Sequence, residues 1–266
     1  TTAFSGTSGS SLFVTAVNDA PVLVPQGLTT NTSEGAVPIT STVATLIGTS
    51  VTDVDSGALS GVAIFGMTGS GGTLEYSLDG STWLSAGALS SSNALLLRST
   101  DQMRFTPDSN NGGTIQVSYR AWDQTTGSAG SKVDVSVTGG STAFSSASDV
   151  ASCTIASVND APVLADTALT LTVAEDAGAP SGAVGSPVSA FTGGVTDVDS
   201  GASKGIAIAG SDETNGTWYY TTNNGSTWTA VGTVSSTSAL LLADNANTRL
   251  YFAPSADYNG TSSGAL

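Results

Sequence analysis

Histidine is absent from the 266-residue chain, and cysteine occurs once. The first absence removes the commonest general base and the commonest transition-metal ligand. The second excludes an intrachain disulfide. Basic residues are scarce: 6 Lys and Arg stand against 21 Asp and Glu, for a net charge of −15. A surface this acidic repels nucleic acid and anionic membrane and suits divalent cations or salty surroundings. No apolar run approaches the ~18 residues of a membrane-spanning helix, and no signal peptide stands out, so neither nucleic acid nor membrane insertion is expected. Any export signal is expected outside this stretch of sequence. Catalytic signatures are missing too. There is no nucleophile elbow and no carboxylate pair in a glycosidase context, and the Gly-rich stretch from Thr68 lacks the Lys of a phosphate loop. The chain reads as non-enzymatic.

What the chain has is repetition. VNDAPVL begins at Val17 and again at Val158, TDVDSG at Thr52 and Thr196, and ALLL at Ala94 and Ala239. FxP recurs at Phe105 and Phe252, and STAF at Ser141 echoes TTAF at Thr1. The spacing drifts by a few residues, as insertions in surface loops make it do. Copying one module end to end builds length rather than a single active site. The frame assigns 1–16 to the last strand of a preceding repeat and 17–157 to a complete repeat. It assigns 158–266 to a second repeat that lacks counterparts of roughly 117–157. A repeat of ~140 residues is long enough to bury its own core.

Short β-rich runs with apolar alternation predict strands at Leu12–Val17, Val62–Phe65, Leu74–Leu78, Leu95–Leu97, Met103–Phe105, Ile115–Trp122 and Val133–Val137. Turn signals separate them, among them LDGST at Leu78 and NNGST at Asn223. Pro21 and Pro162 fix an extended entry into each repeat. About seven strands per repeat and no amphipathic helix predict an all-β fold of tandem antiparallel β-sandwiches, with extra length in loops such as Gly127–Ser148. Cys153 shares strand parity with Ile155 and is expected to face the core as a small apolar residue.

The acids cluster beside turns. Asp53 and Asp55 form one D-x-D, and Asp197 and Asp199 its copy. In an extended segment, period-two alternation points both carboxylates the same way, where they repel unless a cation lies between them. A lone D-x-D is more often a solvated turn. Repeated in register with Asn-Asp-Ala-Pro, it weighs towards calcium, which takes six to eight oxygens in irregular geometry.

Taken in order along the repeat, these segments resemble the cadherin-like repeats of large bacterial surface proteins and adhesins. TDVDSGALSGVAIFG followed by LEYS is similar to the cadherin D-x-D segment and its next strand. VSYRAWDQTTG is similar to the A-x-D strand end, with Ala121 and Asp123. VNDAP keeps the Asn, Asp and Pro of the interdomain linker. The resemblance implies calcium at the joint between consecutive modules. For the complete joint it implies Glu34, Asn159, Asp160, Asp197 and Asp199 as ligands. For a joint with a preceding module it implies Asn18, Asp19, Asp53, Asp55 and Asp123. Asp101 or Asp108 stands where the family has an acidic triplet, without the triplet itself, and Glu175 is the counterpart of Glu34 for a following joint. The implied function is a calcium-stiffened extender in a large secreted protein at the cell surface, with neighbouring repeats or adjacent copies as partners.

Two other classes stay open. A carbohydrate-binding module would use the aromatics of GTWYYTTNNGSTW, with Trp218 and Tyr219 as candidates for stacking on surface glycans, against the alternative that these rings fill the core. A filament subunit would complete its second repeat with a strand from another chain.

Overall fold

The computed structural model describes residues 9, 12–165, 169–262 and 266. The chain divides into two compact units, Thr1–Val158 and Asn159–Leu266. In unit 1 the strands are β1 (Val22–Leu23), β2 (Thr29–Ser33), β3 (Ile39–Thr42), β4 (Val51–Thr52), β5 (Gly61–Thr68), β6 (Gly72–Ser77), β7 (Leu84–Ser85), β8 (Ala94–Arg98), β9 (Gln102–Pro107), β10 (Gly113–Trp122), β11 (Lys132–Val133) and β12 (Asp149–Ala156). One short helix, α1 (Val43–Ile47), follows β3, with Thr42 as its N-cap accepting from the Thr45 amide. The fold is all-β, in several sheets. A six-stranded sheet runs β11-β8-β5-β10-β12-β2, a four-stranded sheet runs β3-β9-β6-β7, and β1 pairs with β4.

Among the described residues of unit 1 every strand pairing is antiparallel except one: β2 lies parallel to β12, with Thr30 opposite Cys153 and Thr32 opposite Ile155. No hairpin ties these two strands together, so the connection leaves their mutual direction free. The expected strand at Leu12–Val17 is not one. Leu12, Phe13 and Val14 are 90%, 88% and 81% exposed, and the segment is irregular. Its sequence counterpart, β12, occupies the place between β10 and β2. The expected strand at Val133–Val137 shrinks to β11. Val135 is buried, but its amide donates to the Ser91 carbonyl outside the sheet.

Burial follows strand parity on both faces of the six-stranded sheet. Val62 and Ile64 of β5 pack with Leu95, Leu97, Tyr119, Leu74 and Tyr76. The intervening Ala63 packs on the opposite face with Ala94, Leu96, Trp122, Val135 and Phe144. A run such as ALLL is therefore apolar throughout because both its faces are covered. Beyond Trp122, the cover on the second face comes from within Gly127–Ser148, where extra loop length and the strand Val133–Val137 were expected. Cys153 is buried beside Phe105, Ile115 and Ile155, and burial pushes its thiol pKa up.

Unit 2 comprises β13 (Val163–Leu164), β14 (Ser186–Pro187), β15 (Val195–Thr196), β16 (Gly205–Ile208), β17 (Gly216–Thr221), β18 (Thr229–Ala230), β19 (Leu240–Ala243) and β20 (Arg249–Pro254). Its four-stranded sheet, β14-β20-β17-β18, repeats the order β3-β9-β6-β7, and β13–β15 and β16–β19 repeat β1–β4 and β5–β8. Registers repeat as well. Ala207 lies opposite Leu241 as Ala63 lies opposite Leu96. Trp218 lies opposite Phe252 as Leu74 lies opposite Phe105. A Cβ at Gly72 would collide with the Phe105 ring and the Thr106 carbonyl, and one at Gly216 with the Phe252 ring and the Ala253 carbonyl. The glycine recurs because the cross-strand phenylalanine leaves no space above it.

Candidate metal centre

Each TDVDSG segment leaves a two-residue strand and turns at once. In unit 1 the Asp53 Oδ1 accepts the Asp55 amide at 2.9 Å, and the Asp55 Oδ2 accepts the Asp19 amide at 2.8 Å. In unit 2 the Asp197 Oδ1 accepts the Asp199 amide at 2.9 Å, and the Asp199 Oδ2 accepts the Asp160 amide at 2.8 Å. Strand parity therefore does not aim these carboxylates. A side chain that folds back onto the amide two residues on does so, as aspartate commonly does in turns. The turn leaves one oxygen of each inner carboxylate for other work, and the Asp53 Oδ2 is buried without a hydrogen-bond partner.

Unit 1 also gathers Asn18 and Asp123 into this region. Asp123 closes β10, where the chain leaves the sheet, and is 3% exposed. Its Oδ2 accepts the Asn18 Nδ2 at 2.9 Å, and its Oδ1 accepts the Thr125 amide and hydroxyl. Asn18 also donates to the Thr142 carbonyl, and the Ala20 amide to the Gly140 carbonyl. Hydrogen bonds thus link Asn18 to Asp123, and Asp19 to Asp55 and Asp53, within one unit. In unit 2 the Asn159 Nδ2 donates to the Asp160 carbonyl at 2.9 Å, and the Asp160 Oδ2 is buried without a partner.

Glu34 sits just past β2 and is 6% exposed. Its amide donates to the Ala156 carbonyl, and its Oε1 accepts the Val158 amide at 2.6 Å. Its Oε2 is buried with no hydrogen-bond partner. A buried carboxylate oxygen left bare is costly, and a cation is the usual compensation. Glu175, its counterpart in the repeat, is exposed and accepts a 3.4 Å contact from the Asn259 Nδ2.

Other acids have structural work. Asp101 is buried against Arg98, whose Nη2 lies 2.7 Å from its Oδ1. Asp108 accepts the amides of Asn110 and Asn111. Asp149, which nothing in the sequence singled out, is 4% exposed and accepts from the Gln26, Gly27 and Val150 amides and the Tyr119 hydroxyl. Burial pushes its pKa up, but the amides and the hydroxyl outweigh burial and hold it below the ordinary carboxylate value. Burial, and then the bond to Asp149, drives the Tyr119 pKa well above its usual value.

The aromatic pair divides across its sheet. Trp218 is 4% exposed, in the core of unit 2, with its ring centroid 5.0 Å from that of Phe252. It offers no face to a sugar, because alternation along β17 turns Trp218 inward and Tyr219 outward. Tyr219 lies across the ladder from Tyr251, which packs against Trp228 at 6.0 Å. The same positions in unit 1 carry Glu75 and Arg104, an ion pair at 2.7 Å with the guanidinium 4.3 Å over the Trp83 ring.

No family model, curated protein or solved structure matches the chain.

Proposed function

We propose that the chain is a pair of cadherin-like, sandwich-type extender modules of a large secreted surface protein, stiffened by calcium and without catalytic activity. The observation that carries this reading is Glu34, an almost fully buried carboxylate with one bare oxygen. Its other oxygen holds the Val158 amide. Val158 is two residues before Asp160, a chain span of at most about 7 Å. Asp160 in turn receives its backbone alignment from Asp199. We propose that Glu34, Asn159, Asp160, Asp197 and Asp199, the set that the resemblance to cadherin-like repeats implies, supply oxygens to a calcium ion. Asn18, Asp19, Asp53, Asp55 and Asp123 are the corresponding lower half of a joint with a preceding module. The orphaned Asp53 Oδ2 is the oxygen such a joint would use.

One ion tied to carboxylates of two modules removes hinge freedom. Without it, like charges repel and the linker flexes. Extracellular modules of this kind bind calcium with Kd of about 10⁻⁴ to 10⁻³ M, so the sites fill outside the cell and empty in cytosol. Binding also stabilises whatever fold presents the ligands. The test is thermal unfolding and solution scattering of the whole chain with calcium and with chelator. The proposal expects a lower melting temperature and a broader distribution of dimensions in chelator. Superimposable curves in both experiments would remove it. Tyr219 with Tyr251 and Trp228 keeps a weaker glycan-binding reading alive, which tryptophan fluorescence with oligosaccharides would test.

A further inference from the structure

The polypeptide enters the six-stranded sheet of unit 1 at β2 and leaves it at β12. These two strands lie parallel over five residue pairs, from Thr29 opposite Ser152 to Ser33 opposite Ala156. Hydrogen bonds carry the pairing past both ends. Before it, Asp149 accepts the Gln26 amide on Oδ2 at 2.8 Å and the Gly27 amide on Oδ1 at 3.1 Å. The Ser152 amide donates to the Leu28 carbonyl at 2.8 Å. Beyond it, the Glu34 amide donates to the Ala156 carbonyl at 3.1 Å, and the Glu34 Oε1 accepts the Val158 amide at 2.6 Å. Asp149 and Glu34 are both buried, so solvent has little access to the bonds they accept. On its other side β12 is held by β10, from Tyr119 opposite Asp149 to Gly113 opposite Ile155.

This arrangement decides how the unit meets tension. Load entering along the chain before β2 pulls β2 towards its first residue. Load leaving after β12 pulls β12 towards its last. The two strands point the same way, so these pulls oppose each other along the strand axis. The evenly spaced bonds of a parallel pair are then loaded together and must break together. A pair pulled apart from one end opens one bond at a time. We propose that the β2–β12 pair, stapled by Asp149 to Gln26 and Gly27, is a shear clamp that carries tension through unit 1. The two-residue β1–β4 ladder lies ahead of β2 on the same path and has too few bonds to carry it. Resistance of this kind is a matter of unfolding rate rather than of equilibrium stability. The clamp suits the extender function proposed above, but it needs no metal and is tested without calcium.

Single-molecule pulling on the whole chain in chelator tests it. Every chain carries Cys153→Ser to remove the native thiol, and a pair of introduced cysteines takes the handles. Val17→Cys with Val158→Cys loads β2 against β12 in shear. Val37→Cys with Val158→Cys puts both handles beyond the end where Ser33 meets Ala156, and peels β12 away. Val17, Val37 and Val158 are all exposed, and residues 159–266 lie outside the loaded stretch in both chains. At equal load, unfolding in shear should be slower than peeling by about tenfold or more. Asp149→Ala should speed unfolding in shear about tenfold, because two amides of the loaded segment lose their charged acceptor. It should change peeling by less than about threefold, because the Asp149 bonds lie at the far end of the pair and break after the barrier. The comparison of the two geometries keeps Asp149 intact, so it decides the matter even where the variant is too unstable to pull. Equal rates in the two geometries would overturn the proposal. So would an Asp149→Ala chain that unfolds no faster in shear, or that is accelerated equally in both.

Discussion

Leu96 and Leu241 are the same residue of the same ALLL motif, facing the same cross-strand alanine, yet one is completely buried and the other is 75% exposed. Leu23 and Leu164 diverge likewise, at 3% and 67%. Local sequence and ladder register do not distinguish the members of either pair. For Leu96 the difference is what lies over the sheet. Trp122, Val135, Ala143 and Phe144 cover that face of unit 1, and the described residues of unit 2 include no counterpart of them. Strand formation is therefore a local property of these repeats, and burial is a property of the whole unit. Where the cover is lacking, a pattern that is apolar on both faces leaves one face bare.

Cutting the same side chain in both units gives the largest expected contrast. Leu96→Ala should cost about 2–5 kcal/mol of unit 1 stability by opening a core cavity. Leu241→Ala should change unit 2 by no more than about 0.5 kcal/mol. Hydrogen exchange of β5 and β16 amides reads the two units separately in one sample. Equal effects would break the comparison.

A second contrast lies at Asp149, which has no counterpart among the described residues of unit 2. Asp149→Ala should cost unit 1 about 1–3 kcal/mol, since the Gln26 and Gly27 amides and the Tyr119 hydroxyl lose their acceptor. The folded-state pKa of Asp149 lies below its unfolded value of about 3.9. Its contribution is therefore complete above that value and is lost as pH falls through the folded pKa. Unit 1 of the native chain should lose stability on acidification below about pH 4, and the Asp149→Ala variant should lose correspondingly less over the same interval. Parallel acid profiles for the two would contradict this assignment.

Calcium should come next in size. With Kd of 10⁻⁴ to 10⁻³ M, 10 mM calcium adds roughly 1.4–2.7 kcal/mol per site. The smallest effect is expected where unit 1 carries an ion pair and unit 2 carries tyrosines. Breaking the partly exposed Glu75–Arg104 pair with Glu75→Gln should cost at most about 1 kcal/mol, and less in high salt. Denaturant midpoints at two ionic strengths decide this.

Much of this was legible in the sequence. The β-rich runs place β5, β6, β8, β9 and β10 to within a few residues, since apolar alternation and Gly-bearing turns are local signals. The grouping of Asn18 and Asp19 with Asp53, Asp55 and Asp123 came as an implication of the resemblance to cadherin-like repeats rather than from any distance legible in the sequence. Three things were hidden. Leu12–Val17 has strand periodicity but pairs with no strand among the described residues, and periodicity says nothing about pairing. Ala143 and Phe144, part of the cover over Leu96, lie in an irregular Gly- and Ser-rich stretch with no periodic pattern to flag them, whereas Trp122 and Val135 lie in segments whose alternation did. Trp218 and Tyr219 are adjacent aromatics on opposite faces, and only the ladder fixes which one points inward.

Calcium titration calorimetry on the whole chain, native and Glu34→Gln, tests the central claim most directly. The variant keeps a carbonyl oxygen for the Val158 amide and removes the charge. The account predicts saturable binding by the native chain at about 10⁻⁴ to 10⁻³ M, weakened at least tenfold in the variant. An absence of saturable heat, or isotherms that coincide for the two chains, would contradict it.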